Sequence, residues 1–228
     1  MLKKISRLLF KIILWFIGLS VITTLLYRFI PPPVTPLMLI RLVEQTFSDD
    51  KVRLKKDWKS IDNISPKMAQ AVIASEDQKF AEHFGFDFDA IEKAMKNNEK
   101  KRKKNIKGGS TISQQTAKNV FLWPGRSWVR KGLEAYFTVL IELLWNKERI
   151  MEVYLNEIEM GNGIYGAEAA AQFYFKKPAS ALTASQCALI AACLPNPRRW
   201  SPVKPNSYIQ RKQSWILRNM GNLGQVKF

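Results

Sequence analysis

The pattern of apolar and polar positions divides the chain into two unequal parts. From Leu8 to Tyr27 the residues are apolar except for Lys11 and a few small polar ones. About 20 such residues can cross a bilayer as one helix, and Lys11, near the N-terminal end, can snorkel to the surface. Pro31-Pro32-Pro33 ends the run and opens a stiff stalk. Beyond it the apolar positions recur at helical spacing. Residues 37–47 read as a short amphipathic helix close to the membrane. Ser65-Pro66 places an N-cap before a proline at the first helical position, predicting a helix to about Phe80. Asp87 or Asp89 can cap the next helix, through about Asn98. Thr111-x-x-Gln114 fits a capping box for a helix opening near Ser110. Ser127 caps a long helix to about Trp145, apolar nearly all round from Tyr136 onward and so a central core element. Further helices are predicted from Asn146-Lys147 to about Ile158, over 167–175, from Thr183 through Cys193, and over 206–222. Gly161 to Gly166 form a tight connection, and no segment reads as strand-rich. The fold class expected is mainly α, one helical domain after one N-terminal transmembrane helix. The divisions are 1–30 for a cytoplasmic tip and anchor, 31–59 for a stalk and membrane-proximal segment, and 60–228 for the folded domain.

Charge narrows the partners. Lys plus Arg number 36 against 19 for Asp plus Glu, a formal net charge of +17. That excess points to nucleic acid, an acidic lipid surface or a phosphorylated substrate. Lys3, Lys4 and Arg7 precede the apolar run, and only Arg28 follows it closely. The positive-inside bias predicts a cytoplasmic N-terminus and an exported domain, which weakens the nucleic-acid reading. No small-x-small cleavage site is visible, so the run reads as an uncleaved anchor. Cys187 and Cys193 stand six apart in a predicted helix, a rise of about 9 Å, too far for a bridge within it. The single histidine excludes a multi-His metal site.

Candidate chemistry starts at Glu76. It stands four residues after Val72 and three after Ile73, so it projects from the buried edge of its helix. A carboxylate there is costly unless it is paired or performs chemistry. Pairing with Lys79 and service as a general base are both open from this stretch alone. Gly108-Gly109-Ser110-Thr111 opens the helix that carries Gln115 and Lys118, and glycines at a helix start suit an anion site as well as an ordinary junction. Lys131 and Glu134 share a helix face, as a surface salt bridge or as site residues. The cations Lys118, Arg126, Arg130 and Lys131 suit a phosphate or pyrophosphate. The run Lys100-Lys101-Arg102-Lys103-Lys104 reads as a solvated loop able to touch anionic head groups.

Five stretches in order then resemble a known family. They are Glu-Asp-x-x-Phe-x-x-His-x-Gly at 76–85, Gly-Gly-Ser-Thr-Ile-Ser-Gln-Gln at 108–115 and Arg-Lys-x-x-Glu at 130–134, followed by Lys-x-x-Ile-Met-Glu-x-Tyr-Leu-Asn at 147–156 and Tyr-Gly-Ala-Glu-x-Ala-Ala at 165–171. Together they resemble the motifs of the family 51 glycosyltransferases, the peptidoglycan polymerases. Gly125 to Glu134 and Leu194-Pro195-Asn196-Pro197 look like its monofunctional proteobacterial branch. The resemblance implies a lysozyme-like fold of two lobes around a cleft. It implies an inverting transfer of lipid II units into a β-1,4 glycan with release of undecaprenyl pyrophosphate. Glu76 would be the general base, with Glu134 in support. Lys118, Arg126 and Lys131 would hold donor phosphates, while Ser110, Gln115 and Arg130 line the site. His83 is read as a structural hydrogen-bonding residue. A divalent cation, Mg or Mn, would assist at the pyrophosphate with ligands left open, and no organic cofactor is implied. The implied partners are lipid II, the growing glycan strand and inner-membrane lipid, with division or cell-wall synthesis proteins as candidates and no nucleic acid. The implied location is the bacterial inner membrane, single-pass, with a periplasmic catalytic domain. Two other classes stand beside this one: a membrane-anchored cell-wall hydrolase or lytic transglycosylase, and a non-catalytic division scaffold.

Overall fold

The computed structural model describes residues 2–48, 51–100, 109–125, 127–224 and 226, the side chains of residue 2 and residues 97–100 excepted. The basic run at 101–104, Gly108 and Arg126 therefore lie outside the described residues. The chain is mainly α. Helix α1 spans Leu2–Tyr27 and α2 spans Pro36–Thr46, followed by strand β1 at Lys55–Lys56. Then come α3 (Pro66–Glu76), α4 (Phe88–Lys100), α5 (Ile112–Phe121), α6 (Trp128–Leu144) and α7 (Lys147–Glu157). Strands β2 (Glu159–Gly161) and β3 (Ile164–Tyr165) lead to α8 (Ala167–Phe175), α9 (Ala184–Cys193) and α10 (Ser207–Leu223).

Most helix starts sit where their capping residues predict. Thr111 and Gln114 close a reciprocal capping box on α5, as Thr183 and Gln186 do on α9. Ser127 and Asn146 accept from the third residue of α6 and α7, and Asp87 accepts the Ala90 N–H at 2.8 Å. Ser65 is different: it makes no side-chain cap, and its hydroxyl donates to the Leu182 carbonyl at 3.2 Å. Helix α3 also stops four residues before the predicted Phe80. Asp77 leaves the helix at φ −162°, ψ 80° because its carboxylate is claimed by the Ile112 N–H and the His83 ring.

The strands escape a periodicity reading because each has only two or three residues. Lys55 and Lys56 pair parallel with Ile164 and Tyr165, more than a hundred positions away, and β2 pairs antiparallel with β3. Gly163 makes that joint possible. It sits at φ 68°, and a Cβ there would stand 2.2 Å from the Arg53 carbonyl oxygen. Gly163→Ala is expected to cost about 1–3 kcal/mol or more, read as a fall in melting temperature; an unchanged melting curve would show the joint to be unimportant.

Helices α3, α9 and α10 pack together, and so do α5, α6 and α7. One continuous core runs through both groups, with Met68, Val72, Ile112, Ile141, Ile150, Leu155 and Ala188 fully buried. Helix α6 is not apolar on a wholly buried surface as expected. Phe137 and Ile141 are inside, whereas Val139 and Leu143 face out. One side of α6 meets α1: Ser20 Oγ lies 2.6 Å from Tyr136 Oη, and the Phe16 ring contacts Tyr136 and Phe137. Helix α1 is long and apolar enough to cross a membrane, and its Leu, Ile and Phe side chains are mostly exposed.

The end of α1 is strapped to the helical body. Arg149 donates through Nη2 to the carbonyls of Tyr27 at 2.7 Å and Ile30 at 2.9 Å. Lys56 Nζ donates to Pro32 and Pro33 carbonyls at 2.6 and 3.0 Å, and Trp145 Nε1 donates to Thr24 at 2.8 Å. The Thr24 carbonyl also accepts from the Arg28 N–H at 3.2 Å, and the carbonyls of residues 30–33 lie beyond the end of α1. Behind the strap, Lys56 pairs with the fully buried Glu157 at 2.5 Å. Burial pushes the Glu157 carboxyl up from 4.5 to about 7, against the pull of Lys56 and Arg149. Between those values the native state keeps a proton that the unfolded chain has released, so stability falls as pH rises through the window. Glu157→Gln is expected to flatten that fall, which melting temperatures of the two proteins across the same window will test.

Candidate active site

Glu76 ends α3 on a helix whose Val72, Ile73 and Ala74 are buried, and its own side chain is only 15 % exposed. The carboxylate is held from three directions. Ser75 Oγ donates to Oε1 at 2.9 Å, Gln115 Nε2 donates to Oε2 at 3.2 Å, and Lys212 Nζ of α10 stands 3.8 Å from Oε1. Lys79 pairs with Asp89 instead, at 2.7 Å. The carboxylate lines a cavity of about 480 Å³ together with Ser110, Asp87, Lys93 and Trp215.

Gln115 joins this cavity to a second. Its Oε1 accepts from Tyr154 Oη at 3.3 Å while its Nε2 reaches Glu76, so the amide is oriented from both ends. The second cavity, about 300 Å³, is lined by Gln115, Lys118, Asn119, Arg130 and, from α2, Arg41. Burial lowers the Lys118 pKa; Glu134 and Glu76 oppose the shift, and Arg130 and Lys131 add to it. An ammonium in that position is relieved by an arriving anion.

Glu134 is buried, which removes the surface-salt-bridge reading of its pair with Lys131. Its Oε1 accepts from Lys131 Nζ, and Arg130 Nη1 lies 3.5 Å from Oε2. The structure thus brings Glu76, Gln115, Lys118, Arg130 and Glu134 around one region. Lys131 is more exposed and lines a separate cavity of about 230 Å³ with Ser110 and Gln114.

The first two motifs are wired together behind the site. Asp77 accepts the Ile112 N–H at 2.9 Å and the His83 ring nitrogen Nε2 lies 2.9 Å from its Oδ1, the structural use expected for His83. Thr111 Oγ1 donates to the Gly85 carbonyl at 2.6 Å. Lys147 ties in the fourth motif, donating to His83 O at 2.6 Å and Glu142 Oε1 at 2.7 Å.

Two site cations went unread in the sequence, Lys212 and Arg41. The signal for both is a cation inserted in a buried stripe. Lys212 falls on the Ile209, Ile216, Met220 face of α10, and Arg41 on the Leu37, Met38, Gln45 face of α2. Burial lowers the Lys212 pKa and Glu76 opposes that. Among the described residues no group of three His, Cys, Asp or Glu could hold a metal.

The family model described as transglycosylase matches residues 43–221. The chain belongs to the transglycosylase family. That match begins within α2, two residues after Arg41, and takes in α3 to α9 and most of α10. A biosynthetic peptidoglycan transglycosylase of Bacteroides thetaiotaomicron is 58% identical over 219 residues, 96% of this chain and 88% of its own. Its namesake in Pseudomonas syringae pv. syringae is 54% identical over 224 residues, 98% of this chain and 94% of its own. Another, in Caulobacter vibrioides, is 57% identical over 212 residues, 93% and 89% of the two chains.

Proposed function

We propose that this protein polymerises peptidoglycan glycan strands from lipid II at the periplasmic face of the bacterial inner membrane, held there by α1 with its N-terminus in the cytoplasm. The observation that carries the reading is the sharing of Gln115 between a largely buried carboxylate, Glu76, and a cavity lined by cations. A glycosyl transfer with a pyrophosphate leaving group needs those two things side by side. Glu76 takes the proton from the 4-hydroxyl of the acceptor sugar as that oxygen bonds to the anomeric carbon of the donor. The bond from that carbon to the pyrophosphate oxygen breaks on the opposite side, so an α-linked donor yields a β-1,4 link. The departing negative charge is taken up by Lys118 and Arg130, with Lys131 alongside and Arg126 contributing by the family likeness. Preorganised cations of this kind stabilise developing charge without reorganisation. Glu134 is a positioning residue that holds Arg130 and Lys131.

A glycan hydrolase of related fold is the second reading. It generally needs a proton donor for a poor leaving group and has no use for a cation pocket, since its substrate carries no pyrophosphate. Purified lipid II separates the two. Polymer formation supports the synthase; breakdown of preformed glycan with no polymer made from lipid II would sink it.

A further inference from the structure

The membrane-proximal helix α2 reaches the anion cavity. Leu37, Met38 and Gln45 of α2 are buried, and Arg41 falls on the same face, three or four residues from each. Its side chain is 22 % exposed and lines the cavity beside Lys118 of α5 and Arg130 of α6. Three cations from three separate helices thus converge on about 300 Å³.

We propose that Arg41 binds the pyrophosphate of the lipid-linked donor in this cavity and makes the site prefer a diphosphate to a monophosphate. The proposal deepens the polymerase reading above and rests on it for the identity of the donor. Four observations support it. First, Arg130 is nine-tenths buried, and its Nε, buried as well, has no hydrogen-bond partner among the described residues. Buried donors of that kind cost stability until a ligand accepts from them. Second, Arg41 is held in place from behind. Nη1 donates to Glu44 Oε2 at 2.5 Å and Nε lies 3.8 Å from Glu159 Oε2. Burial raises the Glu159 carboxyl, against the pull of Arg41. Third, Lys118 and Arg130 alone match the two charges of a diphosphate esterified at both ends. Breaking the bond to the sugar leaves a further charge on the departing prenyl diphosphate, which calls for a further cation, and a planar guanidinium meets phosphate oxygens in pairs. Fourth, beside the polar Gln115, Asn119 and Glu159 the wall carries Leu37, Trp123, Ile158 and Pro197, an apolar side that suits the first units of a prenyl chain.

Titration calorimetry on the full chain in detergent tests this, with farnesyl pyrophosphate and farnesyl monophosphate as probes. The wild type is expected to bind the diphosphate more tightly. Arg41→Met is expected to weaken diphosphate binding about ten- to hundredfold, the range for a hydrogen bond to a charged group, and monophosphate binding less than about twofold. Equal weakening for both probes, no weakening, or a wild type that does not discriminate would each overturn the proposal. Should Arg41→Met fail to fold, Arg41→Lys decides. It keeps the charge without the paired donors, so an intermediate loss of diphosphate affinity supports the proposal and an unchanged affinity overturns it. These titrations involve no turnover. If lipid II is not polymerised while Arg41 still governs diphosphate binding, the polymerase reading fails and the Arg41 site stands.

Discussion

Glu76→Gln is expected to lower glycan polymerisation about 10²–10⁴-fold, the usual contribution of a positioned base, while leaving prenyl pyrophosphate binding within about twofold of the wild type. The substitution is nearly isosteric. A glutamine oxygen can still accept from Gln115 Nε2, and the amide can meet Ser75 Oγ, so both hydrogen bonds survive in altered form. Only the ability to take a proton and the charge facing Lys212 are lost. The melting temperature should therefore change little, because the lost ion pair is long, at 3.8 Å. Polymer yield from lipid II, measured with enzyme in excess, reads the chemical step directly. A variant that keeps more than about a third of wild-type activity would remove Glu76 from the role of base, since a base contributes at least about 10²-fold. Loss of prenyl pyrophosphate binding would instead mean that the substitution had disturbed the neighbouring cavity through Gln115.

Lys118→Met should separate stability from activity. Its ammonium is disfavoured by burial, and Arg130 and Lys131 add to the cost. A charge whose folded-state pKa is lowered opposes folding at neutral pH, so an apolar side chain of similar length is expected to leave the melting temperature unchanged or raised. Activity should fall about 10²–10³-fold, as when one preorganised group at a developing charge is removed. The two measurements together are diagnostic. A large fall in both would make Lys118 a structural residue, and normal activity would take it out of the leaving-group site.

Much of this arrangement was legible in the sequence because local chemistry dictates it. Thr111 with Gln114, Ser127 and Asn146 set helix starts within a residue, since a cap needs only its own turn. Glu76 stood out as an acid on an apolar helix face, and the resemblance of five motifs gave it company. What stayed hidden was non-local. No reading of Lys55-Lys56 alone finds a strand whose partner is Ile164-Tyr165. The early end of α3 depends on Ile112 and His83 drawing Asp77 out of line. The Glu76 partner turned out to be Lys212, at the far end of the chain, because packing of α10 on α3 decides which cation is near. Arg41 was passed over for the opposite reason. It sits in a segment that reads as a short membrane-proximal amphipathic helix, where a cation carries no obvious meaning until α2 is seen to border the cavity.

The bonds from Arg149, Lys56 and Trp145 to the carbonyls of residues 24–33 tie the end of α1 to the helical body. With α1 embedded as proposed above, the strap holds the cleft beside the lipid headgroups, so a lipid-borne donor reaches it by diffusion along the bilayer and not through bulk water.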